Sequence, residues 1–460
     1  MSRPPSLRQE IRPTLALAAP IMIGHVSQML MGVTDSVMIG HAGTVPLAAS
    51  AFGNNVFNVF YVFGIGLMIP VSIFVARARG AGRPEEAAEY LRHGLLLAAV
   101  FGALEFGAMA VLATQLGRFG QPPEVLAIVG PYFLLSAASI GPVLAYLVLR
   151  QFAEAMGHPW APMFIMLAGV GLNAFLNWVL IFGRLGCPAL GLTGAGISTL
   201  LSRTLGAIVI FLWLRRDRRV RDAWPAWAGG DGTDGREMGS RARGWWAPGS
   251  RARLREMLRV GLPASGMLLF ETTAFSFSGV MIGWLGAVPL AAHQIAITCA
   301  SFAFMFPLGL STAAGMRVSH ALGAGERARL RPVAFGAIAL GLGIMGAFAI
   351  LFAAGGGGLA AWFVRDAAVV ALAAQLLVVA AVFQLADGVQ VIAASVLRGV
   401  MDVKVPAGIT LLAYWGIALP VGYALGIAGR WGAAGVWTGI AGGLAFAAVF
   451  LTGRFVRLTR

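Results

Sequence analysis

Over most of its length the chain places apolar residues in unbroken runs, without the alternation of a half-buried strand or the polar stripe of a surface helix. Leu95 to Leu116 is interrupted only by Glu105 and two polar residues, and Ala161 to Phe182, Val333 to Ala354 and Gly432 to Thr452 read the same way. Each exceeds the roughly 18 residues that mark a membrane-spanning helix. About twelve such blocks predict twelve helices, over 14–40, 47–76, 93–115, 125–149, 161–183, 191–214, 258–284, 290–319, 332–354, 368–397, 406–427 and 432–453. The expected fold class is therefore an all-α integral membrane protein. Unbroken runs exclude an outer-membrane barrel, whose strands alternate apolar and polar residues.

Composition agrees. Of 460 residues, 58% are hydrophobic and 12% charged, against about a quarter charged in soluble domains. The opening MSRPPSLRQE lacks the order of a cleaved signal, so the first helix is expected to stay. Arginines gather in alternate connections, at Arg8 and Arg12, Arg77 to Arg92, Arg150, the central loop, Arg327 to Arg331, Arg398 with Lys404, and Arg454 to Arg460. The connections between them hold at most single arginines such as Arg118 or Arg184. The positive-inside rule then predicts cytoplasmic termini. Arginine stands almost to the exclusion of lysine, Lys404 being the only one, which suggests a GC-rich genome and hence a bacterial inner membrane. The net charge of +15 reads as topology and contact with anionic lipid, not as nucleic-acid binding. Cys187, Cys299 and six scattered histidines form no metal-ligand spacing, and there is no phosphate loop, so no cofactor is expected.

A shift of 243 residues lays the chain on itself. VMIGHAGTVPLAA from Val37 returns as VMIGWLGAVPLAA from Val280, Pro20 falls on Pro263, Gly66 on Gly309, and the GAG at Gly80 on that at Gly323. This is a tandem repeat of six helices, and an even number of helices per copy makes the copies parallel. The expected domains are a six-helix bundle over 1–214, a cytoplasmic linker over 215–257 and a second bundle over 258–460.

Ionisable groups inside spans cost several kcal/mol against lipid and are functional candidates. Those expected to matter are Asp35, Glu105, Glu271 and Asp387. Asp35 has Gln28 seven residues earlier on the same helical face; in the second copy the pair becomes Ser278 and Glu271. The repeat thus keeps a polar stripe and moves its acid. Asp387 lies between Gln384 and Gln390. If the seventh and tenth helices meet, Glu271 and Asp387 hold a cation between them, a proton or sodium, or else bond across helices as packing. Asn173 and Asn177, one turn apart, either hold Asp35 or act as interhelical glue. Pro20 frees a carbonyl one turn back and makes a bend cheap. Glu105 has no counterpart in the second copy and no evident task.

The stretches AAPIMIGHVSQMLMGVTDSVMIGHAG from Ala18, LNAFLNWVLIFG from Leu172, GLPASGMLLFETTAFSFSGVMIGWLG from Gly261, FQLADGVQVIAASVLRG from Phe383 and YWGIALPVGYALG from Tyr414 resemble the multidrug and toxic compound extrusion transporters, in their NorM-like branch. The resemblance covers the chain apart from its central linker. It implies two six-helix bundles and a secondary antiporter exporting cationic, lipophilic compounds against protons or sodium. By the same resemblance Asp35, Glu271 and Asp387 couple the cation, with Glu271 and Asp387 as metal ligands in sodium-coupled members. Gln28, Asn173, Asn177, Ser278, Phe383 and Gln384 are expected to line the cleft, and Pro20 to be the hinge. Sodium-coupled relatives have a tyrosine where this chain has Phe383, which supplies no oxygen and tips the balance toward protons. Expected partners are small cationic amphiphiles and membrane lipids, with the protein a monomer.

Two other readings fit the sequence less well. A flippase for a lipid-linked saccharide precursor should carry several arginines in its cleft, whereas the charges picked out inside the spans are acidic. A membrane-embedded enzyme needs an Asp/His or Ser/Lys constellation that the scattered histidines do not supply, so no enzymatic activity is expected.

Overall fold

The computed structural model describes residues 7–217, 220, 224 and 249–460. Among them are twelve helices long and apolar enough to cross a membrane: α1 (Leu7–Ala42), α2 (Thr44–Gly80), α3 (Pro84–Ala113), α4 (Pro123–Ala155), α5 (Trp160–Phe182), α6 (Gly191–Arg216), α7 (Arg251–Gly283), α8 (Ala287–Gly323), α9 (Arg327–Phe363), α10 (Ala367–Gly399), α11 (Lys404–Ala428) and α12 (Gly432–Leu458). Each predicted span falls inside one of these helices or overruns its end by at most two residues. Several helices run one to three turns past the apolar block, because backbone hydrogen bonding continues after hydropathy fades. Of the predicted linker, residues 251–257 are the first turns of α7; most of the remainder lies outside the described residues.

Residues such as Val111, Ile350, Val382 and Val449 are about two-thirds exposed, as lipid-facing positions should be. Trp160, Trp284, Trp362 and Trp431 stand exposed at or beside helix ends, where an indole prefers the membrane interface. Two helices depart from regular α geometry. In α4 the ladder breaks at Ser139, whose hydroxyl turns back to the Ser136 carbonyl at 2.7 Å. In α11, π-helical turns at Leu412–Ala418 and Ala424–Ala428 flank Leu419–Tyr423, around a proline, Pro420, that cannot donate to the ladder.

The helices form two compact units. One is Ser27–Ser265; the other joins Met1–Val26 to Gly266–Arg460. Both α1 and α7 therefore change unit along their length, shortly after the repeat-equivalent prolines Pro20 and Pro263.

The start of α1 is held within its unit by charge. The Glu10 carboxylate, 2% exposed, receives Arg317 of α8 and, at 2.9 Å, Arg329 at the start of α9. Arg317 also donates to the Thr14 hydroxyl and, at 2.8 Å, to the Glu10 carbonyl. Shifted by 243 residues, Glu10 becomes Arg253 and Arg317 becomes Phe74, so the same place in the other unit cannot form an ion pair. There the Arg253 guanidinium lies over the Tyr90 ring at 5.3 Å, Tyr90 stacks on Phe74 at 4.7 Å, and the Tyr90 hydroxyl donates to Glu256 at 3.1 Å. Cation and aromatic face replace cation and carboxylate.

Backbone contact at these helices is also written twice. A methyl group built on Gly66 of α2 would stand 2.3 Å from the Ser265 Cα, and one on Gly309 of α8 would stand 2.8 Å from the Met22 Cα. Gly66 and Gly309 are repeat equivalents, as are Met22 and Ser265. Small residues let helices meet at the backbone in lipid, where packing replaces the hydrophobic drive. Gly66→Val and Gly309→Val should each destabilise the protein by about 1–3 kcal/mol or more, while Gly107→Ala, with open space around it, should not. Thermal melts of purified protein followed by size exclusion check this, and equal midpoints for all three variants would refute it.

Candidate functional site

Two polar centres lie inside the spans, one in each unit. In the unit Ser27–Ser265, a cavity of about 270 Å³ is lined by α1, α2, α4, α5 and α6. Asp35 and Gln28 both reach it, as their spacing of seven on one helical face requires. Gln28 donates to the Tyr61 hydroxyl of α2 at 2.5 Å, and Tyr132 of α4 donates to Asn54 of α2 at 2.9 Å. Behind Asp35, Asn177 donates its amide to the carboxylate at 2.5 Å and to Asn173 at 3.3 Å. Both asparagines are fully buried. Their spacing of four on α5 puts them on one face, so one amide bridges the carboxylate and its neighbour.

Asp35 is the only carboxylate among the residues lining this cavity, but it is not the only charge. Arg203 of α6 and Arg150 of α4 line it too, which corrects the expectation that interior charge is acidic. Arg203 donates to the Ser139 hydroxyl at 2.6 Å and lies 4.9 Å from the centroid of the Phe57 ring. The break in α4 thus presents a hydroxyl to a guanidinium, and an aromatic face covers its flat side. Arg150 is paired along its own helix with Glu154 at 2.7 Å.

The second centre is in the unit containing Gly266–Arg460. Glu271 of α7, Asp387 and Gln390 of α10, and Tyr414 of α11 come together: Gln390, Tyr414 and Asp387 all lie close enough to Glu271 to act on its charge, and the Gln390 amide stands 3.4 Å from both Asp387 and the Tyr414 hydroxyl. Arg398, about three turns after Asp387 on α10, acts electrostatically on Glu271. Gln390 is placed by its spacing of three from Asp387, and Tyr414 by the π-helical turn that carries it. The other positions singled out from sequence are near but differently engaged. Phe383 packs on Trp437, ring centroids 5.3 Å apart, and the Trp437 indole donates to His293 at 3.1 Å. Gln384 is buried, with neither amide atom hydrogen-bonded. Ser278 is fully buried and donates to the Phe275 carbonyl at 2.7 Å. Pro20 is buried within a helix that stays unbroken from Leu7 to Ala42.

Sequence reading missed Arg203, Tyr61, Tyr132, Tyr414 and Arg398. An arginine within an apolar block is a legible signal, and Arg203, inside the span expected over 191–214, belongs with the ionisable groups of the spans from which the sequence reading left it out. Tyr414 had no such signal, since nothing in its neighbours announces a π-helical turn.

Comparison with known proteins gives the same picture twice over. The protein-family model described as MatE matches residues 20–179 and again 263–424. The chain is 35% identical over 468 residues to a probable multidrug resistance protein NorM of Mesorhizobium japonicum, covering 98% of this chain and 95% of that one. It is 34% identical over 459 residues to the multidrug resistance protein NorM of Burkholderia vietnamiensis, at 98% and 95% coverage. Among solved structures it is similar in fold to the Vibrio cholerae MATE transporter VcmN in its bent form, with TM-score 0.84, 22% identity and 98% of each chain covered. An outward-facing multidrug resistance MATE family transporter of the MOP superfamily matches at TM-score 0.85 and 22% identity, over 98% of this chain and 96% of that one.

The second centre makes its own prediction. Tyr414→Phe keeps the ring packed against Phe275 but removes the hydroxyl that serves Glu271 and Gln390. A loss of about 1–3 kcal/mol in folded stability is expected from stranding buried polar groups, read as a lower thermal midpoint in detergent. An unchanged midpoint would show that the hydroxyl is dispensable.

Proposed function

Since the chain belongs to the multidrug and toxic compound extrusion family and its NorM-like branch, we propose that it is a secondary antiporter exporting cationic, lipophilic compounds in exchange for protons or sodium. The observation that carries this reading is the cavity around Asp35. It is a single carboxylate, bridged from behind by Asn177, in a chamber with the aromatic rings of Phe57, Tyr61 and Tyr132. At about 270 Å³ it lies near the lower end of small-molecule pockets. A carboxylate with aromatic walls suits an organic cation, which ring faces attract. The names of the NorM relatives, multidrug resistance proteins, support the same class of substrate.

Exchange follows if drug and coupling ion compete for the same negative charge. A cation taken up at Asp35, or at Glu271 and Asp387, neutralises the site and weakens its hold on a charged drug, and the reverse holds with the same coupling energy. The membrane potential adds about 2.3 kcal/mol per charge per 100 mV. Alternating access would be carried by two six-helix halves, residues 1–214 and 258–460, with Pro20 as a point where α1 bends. Phe383 offers no oxygen to a bare sodium ion, whereas Tyr414, Gln390, Glu271 and Asp387 do. Both ions therefore remain in the proposal, as cargo of the cycle. A monomer in the bacterial inner membrane with cytoplasmic termini completes it.

Arg203 and Arg150 on the cavity wall favour a second reading, a flippase for a lipid-linked saccharide precursor, since guanidinium groups bind phosphate. One experiment separates the two. Efflux of ethidium from proteoliposomes is measured under a proton gradient alone and a sodium gradient alone, for wild type, Asp35→Asn and Glu271→Gln. Antiport predicts transport under one gradient, reduced at least tenfold in one or both variants. Folded protein that moves no ethidium under either gradient, yet translocates a fluorescent lipid-linked saccharide, would replace the first reading with the second.

A further inference from the structure

Glu105 stands apart from both centres. It lies in the last third of α3, halfway along the apolar block Leu95 to Leu116, is 5% exposed, and neither carboxyl oxygen has a hydrogen-bond partner. Its oxygens sit 3.3 Å from where a β-carbon on Gly64 of α2 would be, and Leu144 of α4 closes on the same point. One turn before it on α3, Gly102 meets the backbone of Gly141 in α4, close enough that a methyl group there would stand 3.0 Å from the Gly141 Cα. Glu105 is thus enclosed between α2 and α4, the helices that pack on α3. It lies behind the cavity, since Tyr61 of α2 and Val143 and Leu147 of α4 line the chamber.

The titratable groups on these helices are engaged elsewhere. Tyr61 accepts from Gln28, Tyr132 donates to Asn54, Tyr146 donates to the Pro162 carbonyl at 3.2 Å, and Arg150 pairs with Glu154. Arg77 and Arg79 lie at the far end of α2, and Glu124 opens α4. On α3 itself, Glu85, Glu86, Glu89, Tyr90, Arg92 and His93 occupy the first turns, with His93 twelve residues from Glu105, about 18 Å along the axis. An ionised carboxylate without a counter-charge or donor at such a place costs several kcal/mol. One proton removes that cost.

We propose that Glu105 is a proton-binding site, holding its proton as a neutral carboxylic acid while α2, α3 and α4 are packed as here and releasing it when water reaches this wall. The site is distinct from Asp35 and does not depend on the efflux reading. Infrared spectra of wild type, Glu105→Gln and Glu105→Asp in liposomes at neutral pH test it. The wild type should show a protonated-carboxyl C=O band that is lost in Glu105→Gln and shifted in Glu105→Asp. A wild-type minus Glu105→Gln difference that contains only the two carboxylate stretching bands would overturn it. If Glu105→Gln does not fold, Glu105→Asp decides: a shift confined to the carboxylate bands overturns the proposal, and a shift of the acid band supports it.

Discussion

Everything polar inside this protein answers to one constraint. Lipid offers no hydrogen bonds, so each charge or amide within a span must find its partner in the protein or carry the desolvation cost. The two centres meet the constraint with local devices. Asn177 serves Asp35 and Asn173 with one amide. Gln390 stands between Glu271, Asp387 and Tyr414. Neither centre is fully satisfied, since Asn173 Nδ2, Asn177 Oδ1 and both amide atoms of Gln384 have no partner.

The duplication has been used unevenly. Both copies preserve the backbone contacts at Gly66 and Gly309, which need the absence of a side chain and tolerate no substitute. The chemistry laid over that frame diverges: an acid at Asp35 faces Ser278 in the alignment, Gln28 faces Glu271, and the ion pair of Glu10 with Arg317 faces Arg253 on an aromatic ring. Geometry that permits only glycine is conserved between the copies, while side-chain chemistry at the same register is free to change.

The twelve helices, the repeat and the acids were legible in the sequence because each follows from a strong local signal: apolar length, self-similarity, or a charge where none should be. The same logic extends to Arg203, an arginine inside the sixth apolar block that is as legible as the acids. Tyr414 was not legible, because its position depends on a π-helical turn that adds a residue per turn and rotates the ring toward Glu271. Nor was the burial of Ser278, whose hydroxyl turns to its own helix; a spacing of seven places a residue on a face but does not say whether a chamber lies there. Helix ends escaped too, since α1 and α7 continue through charged turns that hydropathy discards.

α1 and α7 each divide their residues between the two units. Residues up to Val26 belong to the compact unit otherwise built from Gly266 onward, and residues up to Ser265 to the unit built from Ser27. A cut in the central segment would therefore leave two pieces, each carrying a helix start that belongs to the other and lacking the one that completes itself. Equivalent segments traded between two copies are the arrangement of a domain-swapped dimer. In this chain both traded segments belong to one polypeptide, each covalently continuous with the unit it leaves.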